Sequence, residues 1–330
     1  MPAVVANYLR GLANSYLAPG PSCRSMKDWK PLLAMFALFI SVQVVALLLV
    51  PLYPSDYQAF SDSNDPVNPL IYIVMVLAMT GLVLLLIKIG LGKVIKAIFL
   101  VAVAISSTFV LLPLVYQAVP DFDWAMVLSI IISGGLVAAL LFRPEWYVVN
   151  TVGFIVGCGA AIILGLSLGI LPVLILLVAL AIYDAISVYK TKHMIALAEG
   201  VVPLRLPVIF VIPKDKGFTM DSLADKSLTE EPAEERGAML MGVGDAVIPA
   251  VLTVSSFVFL PAVAGSITHA SLLVSLGVII GSTLGFTALM HYVMKGNPQA
   301  GLPLLNGGAI LGYMVMYLLV FQNLSFGIVL

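Results

Sequence analysis

Two aspartates, Asp184 and Asp245, stand inside apolar segments of a chain otherwise almost stripped of charge at membrane depth. Asp184 ends the run LPVLILLVALAIYD. Asp245 closes GVGD at residues 242–245 and is followed by AVIPAVLTVSSFVFL. An ionisable group at the centre of a membrane helix costs about 2.5–3.5 kcal/mol on insertion scales, so a retained pair points to use. Two carboxylates in contact in a low dielectric cannot both ionise cheaply; they share a proton and titrate as a unit. The ionised member can take a proton from a water attacking a peptide carbonyl, and the protonated member can donate to the carbonyl oxygen. Gly242 and Gly244 let backbone approach backbone closely beside Asp245. Pro249 loosens the helical turns that follow.

The elements that position these acids are membrane spans. Of 330 residues, 61% are hydrophobic and 10% charged, and mean hydropathy is +1.12. A soluble domain of this size could not cover its surface with so few polar groups. Nine apolar stretches approach the roughly 20 residues that a bilayer requires. They fall at about 31–53, 69–91, 94–119, 124–142, 147–164, 170–190, 238–262, 270–294 and 301–325. Residues 148–190 are too long for one span, and Gly165, Ser167, Gly169 and Pro172 supply the turn that divides them.

Charge sets the orientation. Arg10, Arg24, Lys27 and Lys30 precede span 1; Lys88, Lys93 and Lys96 cluster at spans 2 and 3; Arg143 lies between 4 and 5. Lys190 through Arg236 border and fill the connection between 6 and 7, and Lys295 lies between 8 and 9. All fall on one side, while the opposite loops hold Asp56, Asp62, Asp65, Asp121 and Asp123 without a base. The positive side is cytoplasmic, so the N-terminus lies inside and the C-terminus outside. The expected fold class is all-α, a nine-helix multi-pass protein of a cell membrane. It divides into a cytoplasmic tail (1–30), spans 1–6 (31–190), a cytoplasmic loop with a strand-like segment (191–237) and spans 7–9 (238–330). Span 1 reads as a retained anchor, not a cleaved signal.

Within the loop, PVIFVIP at residues 207–213 is a β-branched run bracketed by prolines, too short for a span and typical of a strand. It reads as a patch packed on the membrane domain or, more sharply, as an edge that pairs with an unfolded substrate segment. The acid-rich second half of the loop reads as a solvated segment. Cys23 and Cys158 are not expected to pair, and Cys158 reads as a packing residue. His193, His269 and His291 have no metal-ligand spacing, so neither metal nor cofactor is expected. Near-neutral charge without a basic patch argues against nucleic acid.

Depth brings the acids together. Asp184 lies roughly 9 Å from Lys190 at 1.5 Å per helical residue, and Asp245 at most about 13 Å from Arg236 if the chain between them is helical. Both fall in the cytoplasmic half of a hydrocarbon layer about 30 Å thick. Consecutive antiparallel spans can set them face to face.

Tyr183 and Asp184 at the end of span 6, with GVGD opening span 7, resemble the YD and GxGD motifs of the presenilin and signal peptide peptidase family. The continuation GDAVIP is similar to the signal peptide peptidase branch. Nine spans and a long loop between 6 and 7 extend the resemblance over the whole chain. Pro303, Leu304 and Leu305 stand where the family carries Pro-Ala-Leu, with leucine in place of alanine. The resemblance implies an intramembrane aspartyl protease with Asp184 and Asp245 as the catalytic pair. Tyr183, Gly242, Gly244, Pro303, Leu304 and Leu305 would border the bound substrate. The implied partners are single-span transmembrane peptides and the lipid bilayer; homo-oligomerisation stays open. Compact loops suggest a microbial, archaeal-type member.

Plainer readings stand beside these. Tyr183 also suits an interfacial tyrosine. Gly277, Gly281 and Gly285 on span 8, and Gly153 and Gly157 on span 5, read as helix-packing faces. Gln43, Ser106, Ser107, Thr108 and Asn306 read as interhelical hydrogen-bonding residues, and Lys88 snorkels to the cytoplasmic face. A proton-coupled transporter would also bury paired acids, but it should show an internal repeat, and spans 1–5 contain no counterpart of either motif. A non-catalytic scaffold on the same fold, or a prepilin-peptidase-like enzyme with its own GxGD aspartate, completes the alternatives.

Overall fold

The computed structural model describes residues 29–54, 57–191, 204–214, 217–220, 237–260, 269–294 and 299–328. Cys23, His193 and most of the acid-rich loop lie outside them. The helices are α1 (Trp29–Leu49), α2 (Asn68–Lys88), α3 (Gly92–Ala118), α4 (Phe122–Phe142), α5 (Trp146–Ser167), α6 (Ile170–Ile186), α7 (Val243–Phe259), α8 (His269–Val293) and α9 (Leu302–Phe321). Eight are long and apolar enough to cross a membrane, and α7 is the shorter apolar ninth. A π-helical turn, Ser187–Thr191, prolongs α6.

Helix ends follow local chemistry. Pro69 sits in the first turn of α2, where its missing N–H costs nothing. Asp121 caps α4 by accepting from the Trp124 amide at 3.1 Å. Gly90 follows α2 with φ +75°, a conformation suited to glycine. The turn between α5 and α6 falls at Leu168 and Gly169, inside the Gly/Ser/Pro cluster, and the Gly169 amide donates to the Ser63 carbonyl at 2.7 Å.

Span 7 departs from its expected bounds. Ala238–Gly242 is not helical but a strand, β2, paired antiparallel with β1 (Ile209–Pro213) in the register Ile209 to Gly242 through Pro213 to Ala238. Met239, Leu240 and Met241 lean towards helix by propensity, a weak preference; the β1 backbone, offering a ladder, decides. Helix α7 therefore starts at Val243 and, with 17 residues, is about 25 Å long. The expected strand is real, but its core residue Phe210 is fully buried among α-helical side chains.

Helix α7 is the hub. It packs against α1, α5, α6, α8 and α9, and Ala246, Ala250, Val251, Leu252 and Val254 are all buried. Gln43 on α1 accepts hydrogen bonds from Thr253 on α7 (3.2 Å) and Ser282 on α8 (3.1 Å), joining three helices as expected of a polar residue in a bundle. Thr108 does not act between helices. Its hydroxyl returns to the Ala104 carbonyl of its own helix at 2.9 Å, a bond that local geometry always offers threonine. By contrast, α2 is exposed along most of its length. Cys158 is a buried free thiol, as expected of a packing residue.

The α8 and α9 backbones meet directly. A Cβ on Gly281 would lie 2.8 Å from the Gly312 Cα, and one on Gly277 2.9 Å from the Gly312 carbonyl oxygen. The small-residue face of α8 thus packs on α9, Gly281 against Gly308 and Gly312, Gly285 against the Leu304 backbone, and Gly277 against Gly312 and the Met316 side chain. Gly281→Val should force the helices apart and cost about 1–3 kcal/mol, the usual penalty of overpacking. Thermal unfolding in detergent should show a clearly lowered Tm; an unchanged Tm would mean that the seam yields freely.

Candidate active site

Asp184 occupies the last turn of α6 and Asp245 the first turn of α7, so antiparallel neighbours bring a helix end and a helix start to one level. Asp184 is buried and Asp245 half-buried, and the two carboxylates lie within electrostatic range of each other. They converge on one stretch of backbone. The Leu302 amide, first in α9, donates to the Asp184 Oδ2 at 3.0 Å. The adjacent Gly301 lies beside the other acid: a Cβ there would come 3.8 Å from the Asp245 Oδ2.

This arrangement explains why a proline follows. The first amides of a helix have no partner within it. At the start of α9 the Leu304 and Leu305 amides bond the Gly301 carbonyl at 3.2 Å each, Pro303 has no amide, and the Leu302 amide goes to Asp184. The helix N-terminus also presents the positive end of its dipole to the acid. Two further contacts hold the helix start in place. Asn306 Nδ2 donates to the Leu177 carbonyl of α6 at 2.9 Å, and the Ala300 amide donates to the Tyr189 hydroxyl at 3.4 Å.

The other expected site residues divide. Gly242 belongs to the site: its amide donates to the Asp245 carboxylate, and a Cβ would lie 3.1 Å from Oδ2. Gly244 is exposed, with nothing within 4 Å of the position a Cβ would take. The surface beside Asp245 is thus open at Gly244. Tyr183 is half-buried next to Asp184 and engaged by a neighbour. Leu305 is fully buried, beneath the site. Pro303 and Leu304 line an apolar groove of about 580 Å³ between α8 and α9, with Gly281, Gly285, Gly308 and Gly312. The leucine in the alanine position therefore extends into that groove and does not hold α9 away from Asp184. Gly301 and Leu302 adjoin the Pro303 motif, but their backbone roles, like the Tyr189 contact, carry no mark in the sequence. Among the described residues no cluster of His, Cys, Asp or Glu could hold a metal ion.

Residues 36–322 match the family model described as signal-peptide peptidase, presenilin aspartyl protease. The chain belongs to the presenilin and signal-peptide peptidase family. Two solved structures of a presenilin family intramembrane aspartate protease, in space groups C222 and P2, are similar to it. They are 36% and 37% identical, with a TM-score of 0.63 in each case, and each comparison covers 88% of this chain and 99% of the other. No curated protein sequence matches. The protein is thus a multi-pass, presenilin-like intramembrane aspartyl protease.

The two motif glycines should respond differently. Gly242→Ala presses a methyl on the Asp245 carboxylate and should lower hydrolysis by about tenfold or more, since misplacement by 1 Å can cost 10²-fold. Gly244→Ala meets open space and should keep the wild-type Tm. Rates and melting curves of both variants check this; equal rates for Gly242→Ala and wild type would remove the steric argument.

Proposed function

We propose that Asp184 and Asp245 form the catalytic centre of a GxGD-type aspartic endopeptidase that cuts peptide bonds within single-span transmembrane substrates. The observation that carries this reading is the convergence of both carboxylates on the Gly301 and Leu302 backbone. With one proton shared, the ionised aspartate takes a proton from water as its oxygen adds to the peptide carbon. The other aspartate donates its proton to the carbonyl oxygen, giving a neutral gem-diol. As the C–N bond breaks, the newly protonated aspartate gives its proton to the leaving amine and the other takes one from a diol hydroxyl, which leaves a carboxylic acid product and restores the pair.

A helical substrate offers no free backbone groups, so its scissile segment must unwind and find new partners for the freed amides and carbonyls. Strand addition supplies them. The hairpin offers a choice of edges, and β2 is the favoured one because it runs straight into Gly242 and Asp245. Among the described residues no other group bonds the outward side of Leu240. The basic residues near this end of the bundle favour a cytoplasmic reading of it. The reading therefore favours substrates whose N-terminus lies outside, cut near their cytoplasmic end at helix-weakening residues. Tyr183, Gly244, Pro303 and Leu304 would border the unwound segment.

Asp184→Asn and Asp245→Asn should each abolish cutting of a single-span reporter in detergent while leaving folding intact, because an amide fits the same volume. Losing an acid–base group costs about 10²-fold or more. A variant retaining over about a tenth of the wild-type rate, against that expectation, would sink the pairing.

The edge has its own test. The Leu240 amide points away from β1, so Leu240→Pro leaves the ladder intact and removes only an outward donor. Turnover should fall by about tenfold or more while Tm stays near wild type, since a site built to pair a group discriminates strongly once it is lost. Undiminished turnover would remove β2 from substrate binding. Phe210→Pro is a poorer probe, because Phe210 faces β2 with its backbone and the core with its ring.

A further inference from the structure

Ladder parity divides the backbone groups of the hairpin into two sets. The Val208 carbonyl accepts from the Val243 amide at 3.0 Å, and the Lys214 amide donates to the Gly237 carbonyl at 2.9 Å. Alternate residues between them, Phe210 and Ile212, face β2, so Val211 faces away. Its outward peptide groups are held by a side chain. Asn150, near the start of α5, accepts from the Val211 amide through Oδ1 at 2.8 Å and donates to the Val211 carbonyl through Nδ2 at 2.7 Å. These are the two bonds that a neighbouring strand would make. At the end of the same edge, Pro213 has no amide to offer.

The face of α5 that carries Asn150 continues towards Asp245. A Cβ on Gly153 would lie 3.3 Å from both the Pro207 carbonyl oxygen and the Val243 Cγ2; one on Gly157 would lie 3.2 Å from the Val243 Cγ1. Asn150 grips β1, while the two glycines seat Val243, the residue joining β2 to Asp245. Helix α5 thus holds both ends of the path from the hairpin to the acid. Asn150 is buried, at 8% exposure, so its amide is committed to this contact rather than to solvent.

We propose that Asn150 is a positioning residue, a side-chain clamp that closes the outer edge of β1 and fixes the hairpin against α5. An unwound substrate then has only β2 to pair with, in one register relative to Asp245. This rests on the reading of strand addition given above. The clamp selects the edge and, through the register, the bond that is cut. It acts through the Val211 backbone, not on the reacting atoms.

The test reads the position of cutting, which a merely structural role would not move. Asn150→Leu keeps the volume and removes both bonds; Asn150→Asp keeps the acceptor for the Val211 amide and loses the donor. Each is compared with wild type and Leu240→Pro on one single-span substrate, with Tm, kcat and KM measured and products identified by mass spectrometry. Asn150→Leu should lower kcat by about tenfold or more, because a misplacement of 1 Å can cost 10²-fold, and should spread the cut over neighbouring bonds. Asn150→Asp should show the same spread in weaker form, and it decides the matter if the leucine variant fails to fold. Cutting confined to the wild-type bond in the folded variants overturns the clamp, whatever the rate. If Leu240→Pro is inactive while the Asn150 variants cut at the wild-type bond, only the clamp falls. A fully active Leu240→Pro removes strand addition, and the clamp's role with it.

Discussion

Free backbone amides are scarce within a bilayer, and the first turn of a helix is where they occur. The site depends on one of them. The Leu302 amide reaches Asp184 because α9 begins at the level where α6 ends, and Gly301 leaves room for Asp245 on the same side. A carboxylate that would be costly in hydrocarbon is thereby met by a donor and by the positive end of a helix dipole. Much of the bundle can be understood as holding those three helix ends level. Asn306 binds α9 to α6, Gln43 binds α7 to α1 and α8, and glycines close α8 onto α9.

The second constraint lies just outside the helices. Where a continuous span 7 was expected, the chain forms a strand and then turns helical only two residues before Asp245. A helix there would have consumed its own amides and carbonyls. The strand instead leaves one row of them pointing outward, ending at the Gly242 amide on the Asp245 carboxylate. The shortness of α7 and the presence of the hairpin are one feature, since the residues missing from the helix are those that make the ladder.

What the sequence disclosed follows from what is rare in it. Acids within apolar runs are few, so Asp184 and Asp245 stood out, and the charge pattern ordered the spans around them. The division of residues 148–190 was legible because glycine, serine and proline cluster at a single point, and the strand at 209–213 because prolines bracket a β-branched run. Its partner was not legible: MLM at 239–241 has no period of its own, and the ladder comes from residues distant in sequence. Nor were the Leu302 amide and the Asn150 clamp, the first because backbone groups leave no mark on composition. Asn150 is a single polar residue near a helix start, where asparagine is unremarkable. Thr108 shows the opposite error, a hydroxyl credited to a neighbouring helix that serves its own.

The seam between α8 and α9 affects how this chain tolerates change. Because Gly281 and Gly312 meet backbone to backbone, the distance between the helices there is set by van der Waals contact of the two main chains, and a side chain, that of Met316, intervenes only at Gly277. The side chains of Leu304, Leu311 and Val315 lie in the groove alongside, not in the contact itself. A residue there can grow or shrink without altering where the Leu302 amide sits. The size of residue 304 is thus mechanically uncoupled from the acids, and a bulky leucine can stand there without displacing the start of α9.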